Sequence, residues 1–168
     1  PDFSNRAGAW EQLQTAKAKG LVKKIGVSTH HVDVARMMAK HAECDILFPL
    51  INMESLGIRH GNGFGTKEDM AAAIYENSKL GKGIFAMKAF GGGNLVKKYR
   101  ECLDYVANLP GIDSIMLGFG KADEVDRAVE YAEGRLAATY SPDVSNKKIC
   151  IDPGDCEGCG SCLLRCPN

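Results

Sequence analysis

The chain alternates between short apolar runs and longer stretches in which apolar residues recur at helical spacing. Four apolar runs predict strands, and they cover residues 21–28, 45–52, 83–89 and 112–117. Five stretches with helical periodicity predict helices, and they cover residues 4–20, 32–41, 66–80, 94–108 and 123–133. Strands that alternate with helices in this way favour an α/β fold whose parallel strands lie in chain order, joined by right-handed crossovers.

Capping and turn residues mark several of the predicted ends. Ser4 is placed to cap the first helix, and Gly20 is placed to end it. Thr66 precedes the third helix, and Asp69 follows three residues later, which is a weak form of an N-terminal capping pattern. The glycine-rich residues 57–65 between two predicted elements predict a loop.

The carboxyl ends of parallel strands are where ligands bind in such sheets. Each predicted strand here ends in small or polar residues, so four segments are candidates for one binding site. They are residues 28–30, 52–54, 87–93 and 118–121. The Gly91–Gly93 run lacks the G-x-G-x-x-G spacing of a dinucleotide fingerprint, and by itself it is only a weak indication of a phosphate site.

Length and charge exclude several classes of protein. With 168 residues the chain is too short for a closed (β/α)₈ barrel, which typically needs about 250 residues. Lys+Arg and Asp+Glu are 21 each, which argues against a nucleic-acid binder with a basic face. No apolar run approaches ~18 residues, so no membrane span is predicted. The chain opens on Pro1 without a methionine, and we expect further residues upstream.

Four of the seven cysteines lie close together near the C-terminus. Cys156, Cys159, Cys162 and Cys166, followed by Pro167, fit the pattern C-x₂-C-x₂-C-x₃-C-P, which is the bacterial ferredoxin run for a [4Fe–4S] cluster. Such close spacing suits a cluster or metal better than disulfide bonds, and it therefore predicts a reducing, cytoplasmic compartment.

The identity of the bound metal and of its fourth ligand stays open. A structural zinc site is a weaker alternative, because such sites usually combine two separated C-x₂-C pairs. Cys166 completes a single cluster site in one interpretation, and Cys150 does so in another; a second cysteine run beyond the present end is the third. Cys44 and Cys102 are predicted to be small buried hydrophobes.

Four segments, in order, resemble the aldo/keto reductase family, and they are residues 19–30, 48–52, 86–93 and 116–124. The C-terminal cysteine run is similar to a decoration of one branch of that family. The resemblance implies the C-terminal half of a (β/α)₈ barrel, with strands five to eight. It divides the chain into a half-barrel over residues 1–134, a connector over residues 135–149 and a ferredoxin-like [4Fe–4S] segment over residues 150–168.

The resemblance also implies NADP(H) bound across the carboxyl ends of the strands. Ser28 matches the serine that binds the nicotinamide carboxamide, Thr29 stands where Asn is usual, and Asn52 is a possible substitute for a family Gln. Met87 stands where a Tyr commonly stacks on the nicotinamide ring. Lys88 and Gly91 match the loop along the pyrophosphate, and Gly118 and Lys121 match the region of the 2′-phosphate contacts.

The family's proton-donor Tyr, with its Asp, Lys and His partners, lies on the first four strands, and nothing in this chain matches those positions. We therefore assign no catalytic residue and expect the isolated chain to be inactive. Four tyrosines fall within helical patterns and are predicted to be packing or surface residues, namely Tyr75, Tyr99, Tyr105 and Tyr131.

The whole protein would then be an oxidoreductase acting on a small-molecule carbonyl/alcohol pair, with the cysteine tail transferring electrons or stabilising the fold. A half-barrel should need its missing N-terminal half, or a second copy, because the inward strand residues would lack opposing layers. Those residues are predicted to be Ile25, Val27, Leu47, Phe85 and Ile115. A redox partner is a further expectation. The alternative is a non-catalytic half-barrel that binds a phosphate-bearing ligand and carries a structural metal tail.

Overall fold

The computed structural model describes residues 4–144, which contain six strands and five α-helices. The strands are β1 (Gly26–Thr29), β2 (Ile46–Pro49), β3 (Arg59–His60), β4 (Gly63–Phe64), β5 (Gly83–Ala86) and β6 (Ser114–Ile115). The helices are α1 (Ala7–Ala18), α2 (Val32–Met38), α3 (Lys67–Lys79), α4 (Tyr99–Ala107) and α5 (Ala122–Ala132). Short 3₁₀-helices cover Ser4–Arg6, Gly91–Gly93 and Val96–Lys98. No helix among the described residues is long and apolar enough to cross a membrane.

The main sheet has four parallel strands in the order β1-β2-β5-β6. This confirms the predicted α/β fold, with parallel strands adjacent in chain order. The architecture is consistent with half of a (β/α)₈ barrel. β1 and β6 are the edges of the sheet, and all four carboxyl ends lie at one end of it.

One face of the sheet carries the core and the other is open. Leu47 lies opposite Ile84 in the register, and both side chains are fully buried beneath the helices together with Ala86. On the opposite face Ser28 is exposed, and Phe85 keeps 38% of its surface exposed. Because strand side chains alternate between faces, each strand gives one set of residues to the core and one to the open face.

The structure corrects the predicted list of inward residues that lack an opposing layer. Val27 pairs with the buried Leu47, and Ile115 pairs with the buried Ala86, so these residues all belong to the face that the helices cover. Ile25 precedes β1 and is also buried. Of the predicted set, only Phe85 lies on the open face. Side chains along a strand alternate between the two faces, and the predicted list combined residues from both faces.

The strands are shorter than the sequence predicts. The first was expected over residues 21–28, yet the ladder begins at Gly26, whose partner Ile46 is the first residue of β2. Upstream residues have no strand beside them, and Leu21 is 75% exposed. At the other strand ends too, apolar residues continue into loops after the ladder has stopped.

The helix ends are confirmed in two of three cases. Thr66 caps α3, its side chain accepting a hydrogen bond from the Asp69 N–H at 3.1 Å. Gly20 ends the first helix with φ +72°, the left-handed conformation that favours glycine. The predicted cap at Ser4 is wrong, because a 3₁₀ turn comes first and α1 begins after Arg6, which makes no side-chain cap.

The loop predicted over residues 57–65 contains a small hairpin. Arg59 pairs with Phe64 across the antiparallel strands β3 and β4, and the Arg59 N–H donates to the His30 carbonyl at 2.9 Å. The hairpin therefore lies beside the carboxyl end of β1. Each of these strands has only two residues, which is too short for an alternation of apolar and polar residues to be recognised in the sequence.

Asp45 joins the amino ends of β1 and β2 to the first helix. Its carboxylate accepts hydrogen bonds from Lys17 Nζ at 2.5 Å, Lys24 Nζ at 2.8 Å and the Ile25 N–H at 3.0 Å. These donors, Lys17 first, hold the pKa of Asp45 far below its usual value. In parallel α/β folds this end of the sheet serves stability rather than chemistry.

Replacing Asp45 with asparagine is expected to lower the free energy of unfolding at pH 7 by about 1–2 kcal/mol. A depressed folded-state pKa gives stability that is complete above the unfolded pKa of about 3.9 and is lost as the pH falls below it. Wild type and D45N should therefore converge in acid. Urea unfolding at pH 7, 5 and 3 measures this, and a constant difference between the two proteins over that range would contradict it.

Candidate functional site

Two concave surfaces flank Met87 at the carboxyl ends of the strands. The first, called here the glycine-loop cavity, has a volume of about 390 Å³ and lies beyond β5 and β6. Its lining includes Met87, Lys88, Gly92, Gly93, Tyr99, Gly118, Phe119, Glu124, Tyr140 and Pro142. The second, called the β1 cleft, follows the free edge of β1 and includes Ser28, Thr29, His30, His31 and Met87.

Lys88 begins a sharply turned loop on the wall of the glycine-loop cavity. Its φ is +62°, and Gly91, Gly92 and Gly93 follow with φ values of +56°, +74° and +106°. The Gly91 N–H donates to the Lys88 carbonyl at 2.7 Å, which closes the turn. A lysine in the left-handed region is strained, and such strain is concentrated at functional sites. The loop thus brings a cation and bare backbone to the same wall.

The glycines of this loop have separate roles. A Cβ on Gly91 would lie 2.8 Å from the side-chain end of Leu56, and at φ +56° any other residue would be strained; Gly91 is not part of the cavity lining. Gly92 and Gly93 line the cavity, and a Cβ on either would meet no other atom within 4 Å. The backbone that a ligand would approach is therefore that of Gly92 and Gly93.

The segment before α5 forms the opposite side of the cavity. Gly118 lines it directly, whereas Lys121 is the N-cap residue of α5, its side chain is exposed, and it lies outside the lining. The Gly120 N–H donates to Glu124 Oε2 at 2.7 Å, so a carboxylate already satisfies one amide near this helix start.

An aromatic cluster closes the cavity from the side of α4. The Tyr99 ring stacks on Phe90 with centroids 4.9 Å apart and meets Tyr140 edge-on at 5.2 Å. Tyr140 belongs to the predicted connector, which the sequence treats as patternless. In the structure Leu136 of that connector is buried in the core, and Arg100 donates to its carbonyl. The connector is therefore part of the cavity wall as far as the described chain extends.

Ser28 and Thr29 adjoin in sequence but serve opposite faces of β1. Ser28 is exposed on the open face and lines the β1 cleft. Thr29 is buried, and its hydroxyl accepts a hydrogen bond from the His31 N–H at 2.9 Å, at the start of α2. Both residues line the β1 cleft, but the Thr29 hydroxyl is engaged by the local backbone, whereas Ser28 is exposed.

Asn52 is fully buried just beyond β2 and lies in neither concave surface. Its Nδ2 donates to the Leu56 carbonyl at 2.9 Å, while Oδ1 accepts from the N–H groups of Leu56 and Glu54. The side chain shapes the loop that follows β2. The polar atoms of Asn52 are thus hydrogen-bonded to the loop backbone and not to the other predicted site residues.

Positive charge surrounds the mouth between the two surfaces. Burial, followed by the nearby side chains of Lys88, His31 and Arg59, holds the pKa of His30 below its usual value. His30 is therefore mostly neutral at pH 7. The neighbouring cations make this region suited to an anionic group of a ligand.

The matching family model is that of the aldo/keto reductases, described as "Aldo/keto reductase family", and it covers residues 1–110. The chain belongs to the aldo/keto reductase family. The matched part of this reductase chain includes β1, β2, β5, Lys88 and the glycine loop. Gly118 and Lys121 lie beyond it; the structure brings Gly118 to the cavity and leaves Lys121 outside its lining. No curated protein and no solved structure matches the chain.

The predicted cluster ligands of this aldo/keto reductase, Cys156, Cys159, Cys162 and Cys166, lie outside the described residues, as does Cys150. Among residues 4–144 no group of three or more His, Cys, Asp or Glu could hold a metal ion. Cys44 and Cys102 are buried free thiols, as predicted, and burial raises the pKa of Cys102 to about 11. Neither is a reactive thiolate at neutral pH.

Proposed function

We propose that this chain forms the nucleotide-binding side of an NADP(H)-dependent oxidoreductase that acts on a carbonyl/alcohol pair. Family membership supports oxidoreductase activity in general. The observation that carries the proposal further is the glycine-loop cavity, where strained Lys88 and the bare backbone of Gly92 and Gly93 meet at the strand ends. A cation beside bare backbone is a suitable cradle for phosphate groups.

The cofactor, when bound, supplies the hydride, and the chain holds it. Lys88 and the backbone of Gly92 and Gly93 would bind the pyrophosphate, and the segment from Gly118 to Lys121 would bind the 2′-phosphate. Met87 lies between the two surfaces and would contact the nicotinamide ring, with a weaker stack than an aromatic side chain gives. Ser28 would hold the carboxamide. Asn52 and Thr29 would act indirectly, since both bond to backbone.

The chain needs a second half to complete the barrel. Its open sheet face exposes Phe85, and Met116 beyond β6 is 55% exposed. The β6 edge borders a groove of about 910 Å³ under α5, whose apolar Val125 and Val129 are exposed. These surfaces suit the N-terminal half-barrel, or a second copy, and we expect the catalytic acid to come from there. The isolated chain should therefore bind the cofactor without turnover.

The four C-terminal cysteines would hold a [4Fe–4S] cluster in a reducing, cytoplasmic compartment. The spacing of the cysteine run carries this part of the proposal. The cluster would exchange single electrons with a redox partner or stabilise the C-terminal segment.

Both parts are tested on one anaerobic preparation of the 168-residue chain. Titration with NADPH should change the fluorescence of Trp10 or of the cofactor until the signal saturates. NADH should bind more weakly. The protein should be brown, with visible absorption that dithionite bleaches, whereas a zinc protein would be colourless. Lack of saturation would contradict the cofactor assignment. If inorganic pyrophosphate competed as well as NADPH, the chain would be a general phosphate-ligand binder instead.

A further inference from the structure

We propose that the adenine base of the nucleotide stacks on Tyr140, so that the connector supplies the platform for the base in the glycine-loop cavity. This inference rests on the proposed function and goes further, because it assigns the adenine to a particular wall of the cavity. It gives a binding role to a segment that the sequence pattern treats only as a link between two parts of the chain.

The glycine-loop cavity has two chemically different walls. Lys88 and the backbone of Gly92 and Gly93 form the polar wall. The other wall includes Phe119, which lies beyond β6, and Tyr140 of the connector. A cation and bare backbone beside aromatic rings, in one cavity of about 390 Å³, fit a ligand in which a planar base is joined to phosphate groups.

Both aromatic side chains have surface that a ligand can reach. Phe119 is 44% exposed, and Tyr140 is half-buried while it lines the cavity. The Tyr140 ring meets Tyr99 edge-on with centroids 5.2 Å apart, and no other ring packs against it among residues 4–144. Part of the Tyr140 ring is therefore available to a planar ligand.

Contacts along the connector fix the position of Tyr140. Leu136 is buried in the core, and the Arg100 guanidinium donates to its carbonyl. The Tyr140 N–H donates to the Ala137 carbonyl at 3.0 Å, which closes a turn directly before the ring. A ring held in this way is preorganised, because stacking costs it little conformational entropy.

The aromatic wall also gives the dinucleotide a direction. Met87 lines both concave surfaces, so a nicotinamide in contact with it lies at the border with the β1 cleft. From phosphates at Lys88 the adenine end then extends into the rest of the glycine-loop cavity, where Phe119 and Tyr140 lie. The β1 cleft contains the indole of Trp10, but only 8% of that residue is exposed.

The test variant is Tyr140→Leu, which keeps an apolar side chain and removes the ring. The probes are ADP, which carries adenine and a pyrophosphate, and inorganic pyrophosphate, which lacks the base. Both are titrated calorimetrically against the full 168-residue chain. We expect the Kd of ADP to rise about 5- to 50-fold in Y140L, the range for one lost stack between a base and an aromatic ring. The Kd of pyrophosphate should stay the same, because its contacts are with the polar wall.

Tyr140→Phe is the conservative variant, since it keeps the ring, and it should bind ADP as tightly as wild type. With ADP bound, wild type should show NOEs between the adenine ring protons and tyrosine ring protons, and Y140F should lose them while it still binds. These NOEs decide the question if Y140L does not fold. The control variant is Tyr75→Leu, on α3 and outside the cavity, where the tyrosine is 46% exposed. It should change neither Kd.

Three results would overturn the inference while leaving the proposed function intact. An equal Kd for ADP in wild type and Y140L would show that the base does not stack on this ring. A parallel rise in the Kd of pyrophosphate would show that Tyr140 supports the shape of the cavity and does not bind the base. Absence of the NOEs in wild type, or their retention in Y140F, would place the adenine elsewhere. If wild type binds neither NADPH nor ADP, the proposed function itself fails, and this inference fails with it.

Discussion

Replacing Lys88 with methionine is expected to weaken NADPH binding by about 10- to 100-fold, the range for a lost hydrogen bond to a charged group. Methionine has a similar length and, like lysine, is not β-branched. Both side chains should therefore strain the backbone at φ +62° to the same extent, so the substitution removes only the charge. Fluorescence titration of the 168-residue chain at two salt concentrations measures the effect. The wild-type affinity should decrease more steeply with salt than that of K88M.

Lys97→Met is the matched control for Lys88. Lys97 is exposed near the same loop but does not line the cavity, so its loss changes the net charge equally without removing a contact. Lys88→Gly separates strain from charge: it should stabilise the fold, since glycine adopts positive φ freely, and still bind NADPH weakly. Equal affinities for wild type and K88M would remove Lys88 from the phosphate site.

The second large effect is expected from Gly26→Ala, which should lower the free energy of unfolding by about 3 kcal/mol or more. A Cβ on Gly26 would lie 2.3 Å from the carbonyl oxygen of Ile46 and 2.7 Å from its Cβ. The obstacle is the backbone of the neighbouring strand, which cannot rotate away as a long side chain can. β1 and β2 would have to separate at the start of their ladder.

Gly83→Ala provides the comparison for Gly26. Both glycines begin strands and lie in register with Ile46, but the nearest atoms to a Cβ on Gly83 are at 3.9 and 4.0 Å. G83A should therefore fall within about 1 kcal/mol of wild type, with a small gain from the reduced entropy of the unfolded chain. Chemical unfolding followed by circular dichroism ranks the variants. Similar midpoints for G26A and G83A would contradict the close approach.

Sequence pattern was sufficient for the topology because the topology depends on periodicity and order. Apolar runs separated by amphipathic helices permit few arrangements, and right-handed crossovers leave parallel strands in chain order. The cap at Thr66 and the stop at Gly20 were predictable because each depends on local backbone chemistry. The ends of the strands were not, because a ladder begins only where a neighbour exists, as Ile46 does for Gly26.

The site was predictable only in part. Strand-end positions such as Ser28 and Lys88 follow from topology together with the family resemblance, since ligands bind at the carboxyl ends. Sequence alone could not show that Thr29 and Asn52 direct their polar atoms to nearby backbone. Adjacent residues of a strand face opposite sides, and the phase of that alternation is set by which face the helices cover.

By itself, the sequence determined the fold class, the order of the strands, the family and the spacing of the four C-terminal cysteines. Only the tertiary structure decided that the connector supplies Tyr140 to the cavity and that the buried Tyr99 hydroxyl has no partner among the described residues. Periodicity records which side of an element is apolar. It does not record which distant segment packs there, because that depends on the shapes of surfaces brought together from separate parts of the chain.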